Sequence, residues 1–232
     1  MKRLLFGKGK VSSVLERSTD VVLSSDECDI SSYEQVLKSI NRYKPDIIIN
    51  CAAKTNLEFC EDNKISSFNS NTLGVLNIVD VCSTLDIKLV QVSTGCIYEG
   101  NNYDWCESDS PSPAIWYSQT KNMAEQIITG FGYDNYLILR PRQLISKKSH
   151  PSNVITKFAK LSSINAIDEK NSMTCIEDMV EIIDHLLINN ATGTYNCCNA
   201  GTLTPYYIAS RIRETISPEL KVNKVAYEKM LS

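Results

Sequence analysis

Short apolar runs alternate with amphipathic segments along most of this 232-residue sequence, and this alternation constrains the fold more than any other feature. The run Asp46–Cys51 (DIIINC) is the clearest, because a continuous β-branched run is typical of a strand buried on both faces. Further strands are predicted at 3–6, 20–23, 88–92 and 136–139, and helices at 11–17, 32–42, 68–85 and 116–129. Strands that alternate with helices in this way predict an α/β fold built on a doubly wound parallel sheet.

The remainder of the chain follows a different pattern, with helices predicted at 153–160, 176–188 and 205–216 and short strands at 172–175 and 194–197. These segments come after the sheet is largely complete, so we expect a small lobe over the carboxyl ends of the strands, where such folds bind ligands. The prediction is a Rossmann-type dinucleotide-binding domain over residues 1–146 and mainly a substrate-binding lobe over 147–232, within one compact unit.

The composition excludes several functional classes. A net charge of -3 leaves no basic footprint for a nucleic acid and no polybasic patch for a membrane. No apolar run approaches the roughly 20 residues that span a bilayer, and the apolar start breaks at Gly7, too early for a signal-peptide core. The 9 cysteines include no CxxC pair, so we predict reduced thiols, a cytoplasmic protein and no metal site.

A glycine-containing turn, Gly7–Lys10, separates the first predicted strand from the first predicted helix. Dinucleotide-binding folds hold a pyrophosphate at this point, because backbone N–H groups face the phosphates and glycine lets the backbone approach closely. The third glycine of that pattern is missing, with Ser12 and Ser13 in its region. An ordinary tight turn is therefore the alternative interpretation.

The end of the second predicted strand bears on the choice of coenzyme. A carboxylate at this tip favours NADH by binding the ribose 2′-hydroxyl. Here the strand ends in Ser24 and Ser25, which favours NADPH, while the nearby Asp26 and Asp29 leave NADH as the alternative.

Tyr117 and Lys121 stand four residues apart on one face of a predicted helix. A phenol with a pKa near 10 is a poor acid at neutral pH, and a neighbouring ammonium lowers such a pKa. Tyr117 could then protonate a carbonyl oxygen while Lys121 binds a nicotinamide ribose. Thr94, just past the predicted strand 88–92, adds a hydroxyl for the same oxygen. By itself, a pair at this spacing would more simply be a solvated helix face.

Together these residues resemble the extended short-chain dehydrogenase/reductase family, from about Lys2 to Ser217. Further matches are Asn50–Ala53 after the DIIIN strand, Asn71–Gly74, and the pair Asp29-Ile30. The resemblance implies NADPH as the coenzyme and a set of positions that contact it. These positions are Gly7, Gly9, Lys10, Val11, Asp29, Ile30, Ala52, Ala53, Lys54, Asn71, Tyr117, Lys121 and Leu144.

Four segments are similar, more narrowly, to the nucleotide-sugar 3,5-epimerase/4-reductases that make UDP-L-rhamnose: Thr94–Glu99, Trp105–Glu107, Asn153–Lys157 and Asn171–Thr174. This resemblance implies that Cys96 removes a proton beside the C4 ketone and that Lys157 returns one on the opposite face. Thr94, Tyr117 and Lys121 would serve the reduction. The implied substrate contacts are Thr55, Thr94, Cys96, Ile97 and Asn153, the last of these toward the nucleotide diphosphate. From composition alone, Cys96 would instead be a small buried hydrophobic residue.

The resulting hypothesis is an NADPH-dependent enzyme that epimerises C3 and C5 of a UDP- or dTDP-linked 4-keto-6-deoxyglucose and then reduces C4, giving nucleotide-L-rhamnose. A reductase without epimerase activity, like the dTDP-4-dehydrorhamnose reductases, and a non-catalytic nucleotide-binding regulatory subunit are the alternatives. The expected partner is the nucleotide sugar, and a homodimer is left open. Members of the family are usually longer, so the C-terminal lobe is expected to be either compact or without its tail.

Overall fold

The computed structural model describes residues 1–99 and 104–226. The chain divides into two units, the first comprising Met1–Arg140 with Asp184–Asn196 and the second Pro141–Ile183 with Cys197–Ser232. A single boundary after residue 146, as predicted, does not describe this division. The chain leaves the first unit after Arg140 and re-enters it at Asp184, where a helix continues from one unit into the other.

The described strands are β1 (Arg3–Phe6), β2 (Val21–Leu23), β3 (Ile47–Asn50), β4 (Lys88–Val92), β5 (Tyr136–Pro141), β6 (Leu144–Ile145), β7 (Ser163–Ile167), β8 (Thr174–Cys175), β9 (Gly193–Cys197) and β10 (Lys221–Val225). The described α-helices are α1 (Ser12–Leu15), α2 (Tyr33–Tyr43), α3 (Leu57–Asp62), α4 (Lys64–Phe68), α5 (Gly74–Leu85), α6 (Trp116–Gly130), α7 (Val154–Phe158), α8 (Ile176–Ile188) and α9 (Pro205–Thr215). A π-helical turn (Asn69–Leu73) joins α4 to α5, and a 3₁₀ turn (Gly95–Ile97) follows β4.

The first unit is built on a six-stranded sheet with the strand order β2-β1-β3-β4-β5-β9. The pairs β1-β2, β1-β3, β3-β4 and β4-β5 are all parallel. The strand order reverses between β1 and β3, and doubly wound sheets bind ligands outside the carboxyl ends of the strands at such a reversal. The predicted α/β fold with a doubly wound parallel sheet is confirmed.

The apolar runs form the centre of this sheet because both of its faces are covered. Ile47, Ile48 and Ile49 of β3 are all buried, and successive side chains of a strand point to opposite faces. On one face, Ile48 packs with Leu4 and Phe6 of β1 against the buried sides of α2 and α5. Each fully buried aliphatic side chain stabilises the fold by roughly 1.5–3 kcal/mol, so the strand ends hold the loops that follow them in fixed positions.

Several helices differ from their predicted bounds. Helix α2 begins as expected, with the Ser32 hydroxyl accepting a hydrogen bond from the Gln35 N–H. Helix α1 has only four residues, and the predicted helix 68–85 is a π-helical turn followed by α5. Helices α3 and α4 were not predicted, since large apolar side chains such as Leu57 and Ile65 are exposed there and give no clear period.

The second unit contains two separate parallel strand pairs, β7 with β10 and β6 with β8. Helix α9 packs against β7 and β10 and begins at Thr204, whose side chain accepts from the Tyr207 N–H. Strands β7 and β10 were not predicted, because many of their side chains are exposed and the apolar pattern is weak.

Within the described part of the chain, no helix combines the length and apolarity needed to cross a membrane. In the same residues, no three His, Cys, Asp or Glu side chains cluster so as to hold a metal ion. All nine cysteines lie in this part and are free thiols.

Candidate active site

A cavity of about 1100 Å³ lies at the carboxyl ends of β1, β2 and β3 in the first unit. Its walls are the loops that follow these three strands, together with residues from α3 to the π-helical turn. Small-molecule and cofactor sites are clefts of this order of size. The cavity is lined by these predicted coenzyme contacts: Gly7, Gly9, Asp29, Ile30, Ala52, Ala53 and Lys54.

Two glycines shape the turn after β1. Gly7 has a φ of +93°, and a Cβ there would lie 2.7 Å from the backbone of Ala52, so the turn and the loop after β3 can touch only because Gly7 has no side chain. A Cβ at Gly9 would meet no protein atom within 4 Å, although Gly9 lines the cavity. No side chain therefore covers the backbone at Gly9, so a pyrophosphate could approach it closely. The residues present fit a dinucleotide.

Ser12 closes this turn near the place where the third glycine is missing. Its buried hydroxyl accepts a hydrogen bond from the Gly9 N–H at 2.8 Å and donates to the Gly9 carbonyl at 3.0 Å. Lys10 and Val11 are half-buried in the same turn. The Ser12 side chain thus stabilises the turn in the region where the third glycine is missing, and the glycine pattern gives no indication of this.

A carboxylate does lie at the tip of β2. The Glu27 side chain folds back so that its Oε2 accepts hydrogen bonds from the Ser24 N–H (2.8 Å), the Ser24 hydroxyl (2.9 Å) and Lys8 Nζ (2.8 Å). The hydrogen bond from Lys8 is the main cause that lowers the pKa of Glu27 to about 2, so Glu27 is ionised at neutral pH. The expectation of a tip without a carboxylate is wrong, because Glu27 reaches back three residues to Ser24.

The predicted adenine-contacting pair is held by α5. Ile30 is buried, and a Cβ at Gly74 would lie 2.6 Å from its side chain, so only a glycine lets α5 pack this closely. Asn77 Nδ2 donates to the Ile30 carbonyl at 2.9 Å. Asp29 is exposed beside this contact. Packing against Ile30 therefore explains the glycine of the Asn71–Gly74 segment.

Asn71 acts on the loop after β3 through hydrogen bonds to protein groups. Its buried Oδ1 accepts from the Lys54 N–H at 2.7 Å, and its Nδ2 donates to the Lys54 carbonyl (3.0 Å) and to Thr120 Oγ1 (3.1 Å). The predicted coenzyme contact of Asn71 is not seen in the cavity wall, because both amide N–H donors face the protein. Asn71 instead joins α6 to the loop that carries the exposed Lys54 and Thr55.

Thr94 and Cys96 lie together at the end of β4. Thr94 Oγ1 accepts from the Cys96 N–H at 3.1 Å and so caps the 3₁₀ turn. Cys96 is half-buried, whereas Ile97 is completely buried, so only the backbone of Ile97 could contact a substrate. Helix α6, which carries Tyr117, packs against this turn directly after Thr94.

Lys121 lies at the same strand end, one helical turn after the half-buried Tyr117. Its side chain is 2 % exposed, and its Nζ donates to the Val92 carbonyl at 2.8 Å. Burial lowers the pKa of Lys121 to about 8, against the opposing influence of the Glu125 carboxylate. A solvated helix face is therefore excluded for Lys121. An ammonium has three N–H donors, so Lys121 can hold Val92 and a ribose hydroxyl at the same time.

A buried ion pair behind Lys121 was not predicted. Glu125 and Arg140 are 4 % and 7 % exposed, and Arg140 Nη2 lies 2.6 Å from Glu125 Oε2. The Ser93 hydroxyl also donates to Glu125. Glu125 thus joins α6 to the ends of β4 and β5. The sequence signal for this pair was the spacing of four residues between Lys121 and Glu125, which puts both side chains on one helix face. A charged side chain at that spacing usually indicates a solvated face.

Three predicted site residues lie in the second unit. Leu144 is half-buried in β6, and Lys157 is exposed on α7. Asn153 is buried, with its Nδ2 donating to the carbonyls of Ser146 (2.7 Å) and Lys148 (3.2 Å). Asn153 therefore stabilises its own loop, and the predicted roles of the three residues stay predictions.

Comparisons with known sequences agree with this architecture. The family model described as RmlD substrate binding domain matches residues 4–230. A bifunctional dTDP-4-dehydrorhamnose 3,5-epimerase/dTDP-4-dehydrorhamnose reductase of Arabidopsis thaliana is 31% identical over 197 residues, which cover 80% of this chain and 64% of that protein. Protein L780 of Acanthamoeba polyphaga mimivirus is 29% identical over 252 residues, which cover 100% of this chain and 86% of L780. The chain thus spans less than two thirds of the length of the plant relative.

Solved structures have the same fold. The crystal structure of the L780 UDP-rhamnose synthase matches with a TM-score of 0.85 and 27% identity, over 100% of this chain and 86% of L780. A dTDP-4-dehydrorhamnose reductase from Bacillus anthracis in complex with NADP matches with a TM-score of 0.91 and 23% identity, over 99% and 85% of the two chains. The resemblance seen in the motifs is confirmed, and the chain belongs to the RmlD family, the dTDP-4-dehydrorhamnose reductase and UDP-rhamnose synthase branch of the extended short-chain dehydrogenase/reductases.

Proposed function

We propose that this chain reduces the C4 ketone of a UDP- or dTDP-linked 4-keto-6-deoxyhexose with NADPH, with NADH as the alternative coenzyme. The observation that carries the proposal is the arrangement at the end of β4, where α6 packs against the turn after Thr94 and Lys121 hydrogen-bonds to Val92. The cavity beside the Gly7–Gly9 turn supports a dinucleotide coenzyme.

In the reduction, the bound coenzyme supplies a hydride to C4. Tyr117 donates a proton to the C4 oxygen as negative charge develops there. Thr94 Oγ1 already accepts from the Cys96 N–H, so its own O–H can donate to the same oxygen. Lys121, held at the strand end by Val92, orients the nicotinamide ribose and places a positive charge near the phenol.

We propose further that the same site first inverts C3 and C5, so that the product is nucleotide-L-rhamnose. Cys96 lies next to Thr94 and is half-buried, so its thiolate can remove the proton from a carbon adjacent to the ketone. Thr94 and Tyr117 stabilise the enolate oxygen. A general acid must then return a proton to that carbon on the opposite face, so one proton is removed and one is added at each centre, with no change in oxidation state. The family resemblance implies Lys157 for this role. The bifunctional plant relative supports this second activity.

The test is consumption of NADPH with UDP- and dTDP-4-keto-6-deoxyglucose, run in deuterated water. Deuterium at C3 and C5 of the product, lost in Cys96→Ala but kept in Cys106→Ala, is the expected result, because Cys106 is an exposed thiol with no proposed catalytic role. A reduced product without deuterium would restrict the chain to reduction. No consumption with either sugar would favour the non-catalytic regulatory subunit. Pairing into a homodimer stays a prediction, which light scattering can test.

A further inference from the structure

Three hydrogen-bond donors converge on a single carboxylate oxygen beside the coenzyme cavity. Lys8 Nζ, the Ser24 N–H and the Ser24 hydroxyl all lie 2.8–2.9 Å from Glu27 Oε2. Lys8 and Ser24 also line the cavity. An ammonium, a backbone N–H and a hydroxyl are together a donor set that suits an anion such as a phosphate. We call these three groups, on Lys8 and Ser24, the anion cradle.

The position of Glu27 relates this cradle to a particular part of a dinucleotide. Glu27 follows Gly7 by about 20 residues, and in dinucleotide-binding folds an acidic side chain at that distance accepts a hydrogen bond from the ribose 2′-hydroxyl. NADPH carries a phosphate at this hydroxyl. A 2′-phosphate would need the donors that Glu27 uses, and it would meet the negative charge of Glu27.

We infer that Glu27 determines the preference between NADH and NADPH, because it fills the anion cradle that a 2′-phosphate requires and can itself accept from a 2′-hydroxyl. The inference rests on the proposed function, which makes a nicotinamide dinucleotide the ligand of this cavity. It assigns Lys8 to the phosphate of NADPH and Glu27 to the free hydroxyl of NADH.

The exposure of the pair means that Glu27 discourages NADPH without excluding it. The side chains of Lys8 and Glu27 are 52% and 47% exposed, and exposed ion pairs are weak because water screens them and long side chains lose freedom in forming them. A phosphate can therefore displace Glu27 from Lys8. The wild-type chain should bind both coenzymes.

The experiment is a fluorescence titration of the full chain with NADPH alone and with NADH alone, which gives a dissociation constant for each without any sugar. Glu27→Ala should tighten NADPH and weaken NADH, changing the ratio of the two constants by about tenfold. Lys8→Met should change the ratio in the opposite direction by weakening NADPH. Glu16→Ala removes an exposed carboxylate of the first unit that does not line the cavity, and it is the matched control.

Opposite changes in the ratio for Glu27→Ala and Lys8→Met, with the ratio for Glu16→Ala close to that of wild type, would support the inference. An unchanged ratio in Glu27→Ala, or an equal change in Glu16→Ala, would overturn it while leaving coenzyme binding intact. Thermal unfolding of each variant confirms that the proteins compared are folded. If neither coenzyme binds any of these proteins, the proposed function fails together with this inference.

Discussion

The buried amine of Lys121 should make the free energy of unfolding depend on pH. Burial lowers its pKa from 10.5 to about 8 in the folded chain. Because each pKa unit corresponds to about 1.4 kcal/mol, the charged amine destabilises the folded chain by about 3 kcal/mol relative to the neutral amine.

The sign follows from where the protons are bound. Below pH 8 the amine is protonated in the folded and the unfolded chain, and the full cost of burying the charge is present. Between pH 8 and 10.5 the unfolded chain binds more protons than the folded chain, so the free energy of unfolding rises with pH. Lys121→Met removes this titration. The free energy of unfolding of wild type, relative to that of the variant, should rise by about 2 kcal/mol between pH 8 and about pH 9.5.

Urea unfolding at a series of pH values measures this difference. Subtracting the free energy of unfolding of the variant from that of wild type removes the contributions of the tyrosines and cysteines that titrate in both proteins. Lys38→Met removes an exposed lysine of α2 and controls for the loss of one positive charge. A difference that does not vary with pH, or one that Lys38→Met reproduces, would refute the reasoning.

Glu125→Gln should lower the free energy of unfolding by about 3–5 kcal/mol, because it leaves the Arg140 charge buried without its carboxylate. Urea unfolding measures the loss, and replacing both residues with Leu and Met should restore most of it; a loss below about 1 kcal/mol for Glu125→Gln would contradict the buried pair. Gly7→Ala should cost about 1–3 kcal/mol through its positive φ and the contact with Ala52, whereas Gly9→Ala should leave thermal unfolding unchanged and weaken NADPH in a fluorescence titration. Equal losses of stability in the two glycine variants would contradict this assignment. NADPH affinity should fall as the pH rises above about 8, because the amine of Lys121 is charged only below its pKa, and isothermal titration at several pH values should show no such fall in Lys121→Met.

The sheet could be predicted because its strands are buried on both faces. The run Ile47–Ile49 can satisfy its apolar side chains only inside a covered sheet, and the same holds for β1 and β4. Less of the second unit could be predicted, because β7 pairs with β10 and these two strands are far apart in sequence and partly exposed. No local pattern predicts such a pairing. The boundary between the two units inside α8 could not be predicted either, because the helix is continuous and amphipathic.

The candidate site shows a similar contrast. Tyr117 and Lys121 could be predicted to share a helix face because their spacing is a local property of the sequence. Glu27 was missed because its role depends on the rotation of its side chain back to Ser24 and on Lys8 from another loop. Asn71 was assigned to the coenzyme, but its amide joins Lys54 to Thr120 across long sequence separations. Hydrogen bonds of this kind depend on the tertiary fold. A sequence motif therefore does not predict which partner each side chain has.

The most direct test of the central claim compares wild type, Tyr117→Phe and Tyr207→Phe in the oxidation of NADPH by UDP- or dTDP-4-keto-6-deoxyglucose. Tyr207 is an exposed tyrosine of α9 and serves as the matched control. We predict turnover in wild type and Tyr207→Phe, and a loss of roughly 10²–10⁴-fold in kcat for Tyr117→Phe with NADPH binding retained. Turnover by Tyr117→Phe at the wild-type rate would contradict the assignment of Tyr117 as the proton donor.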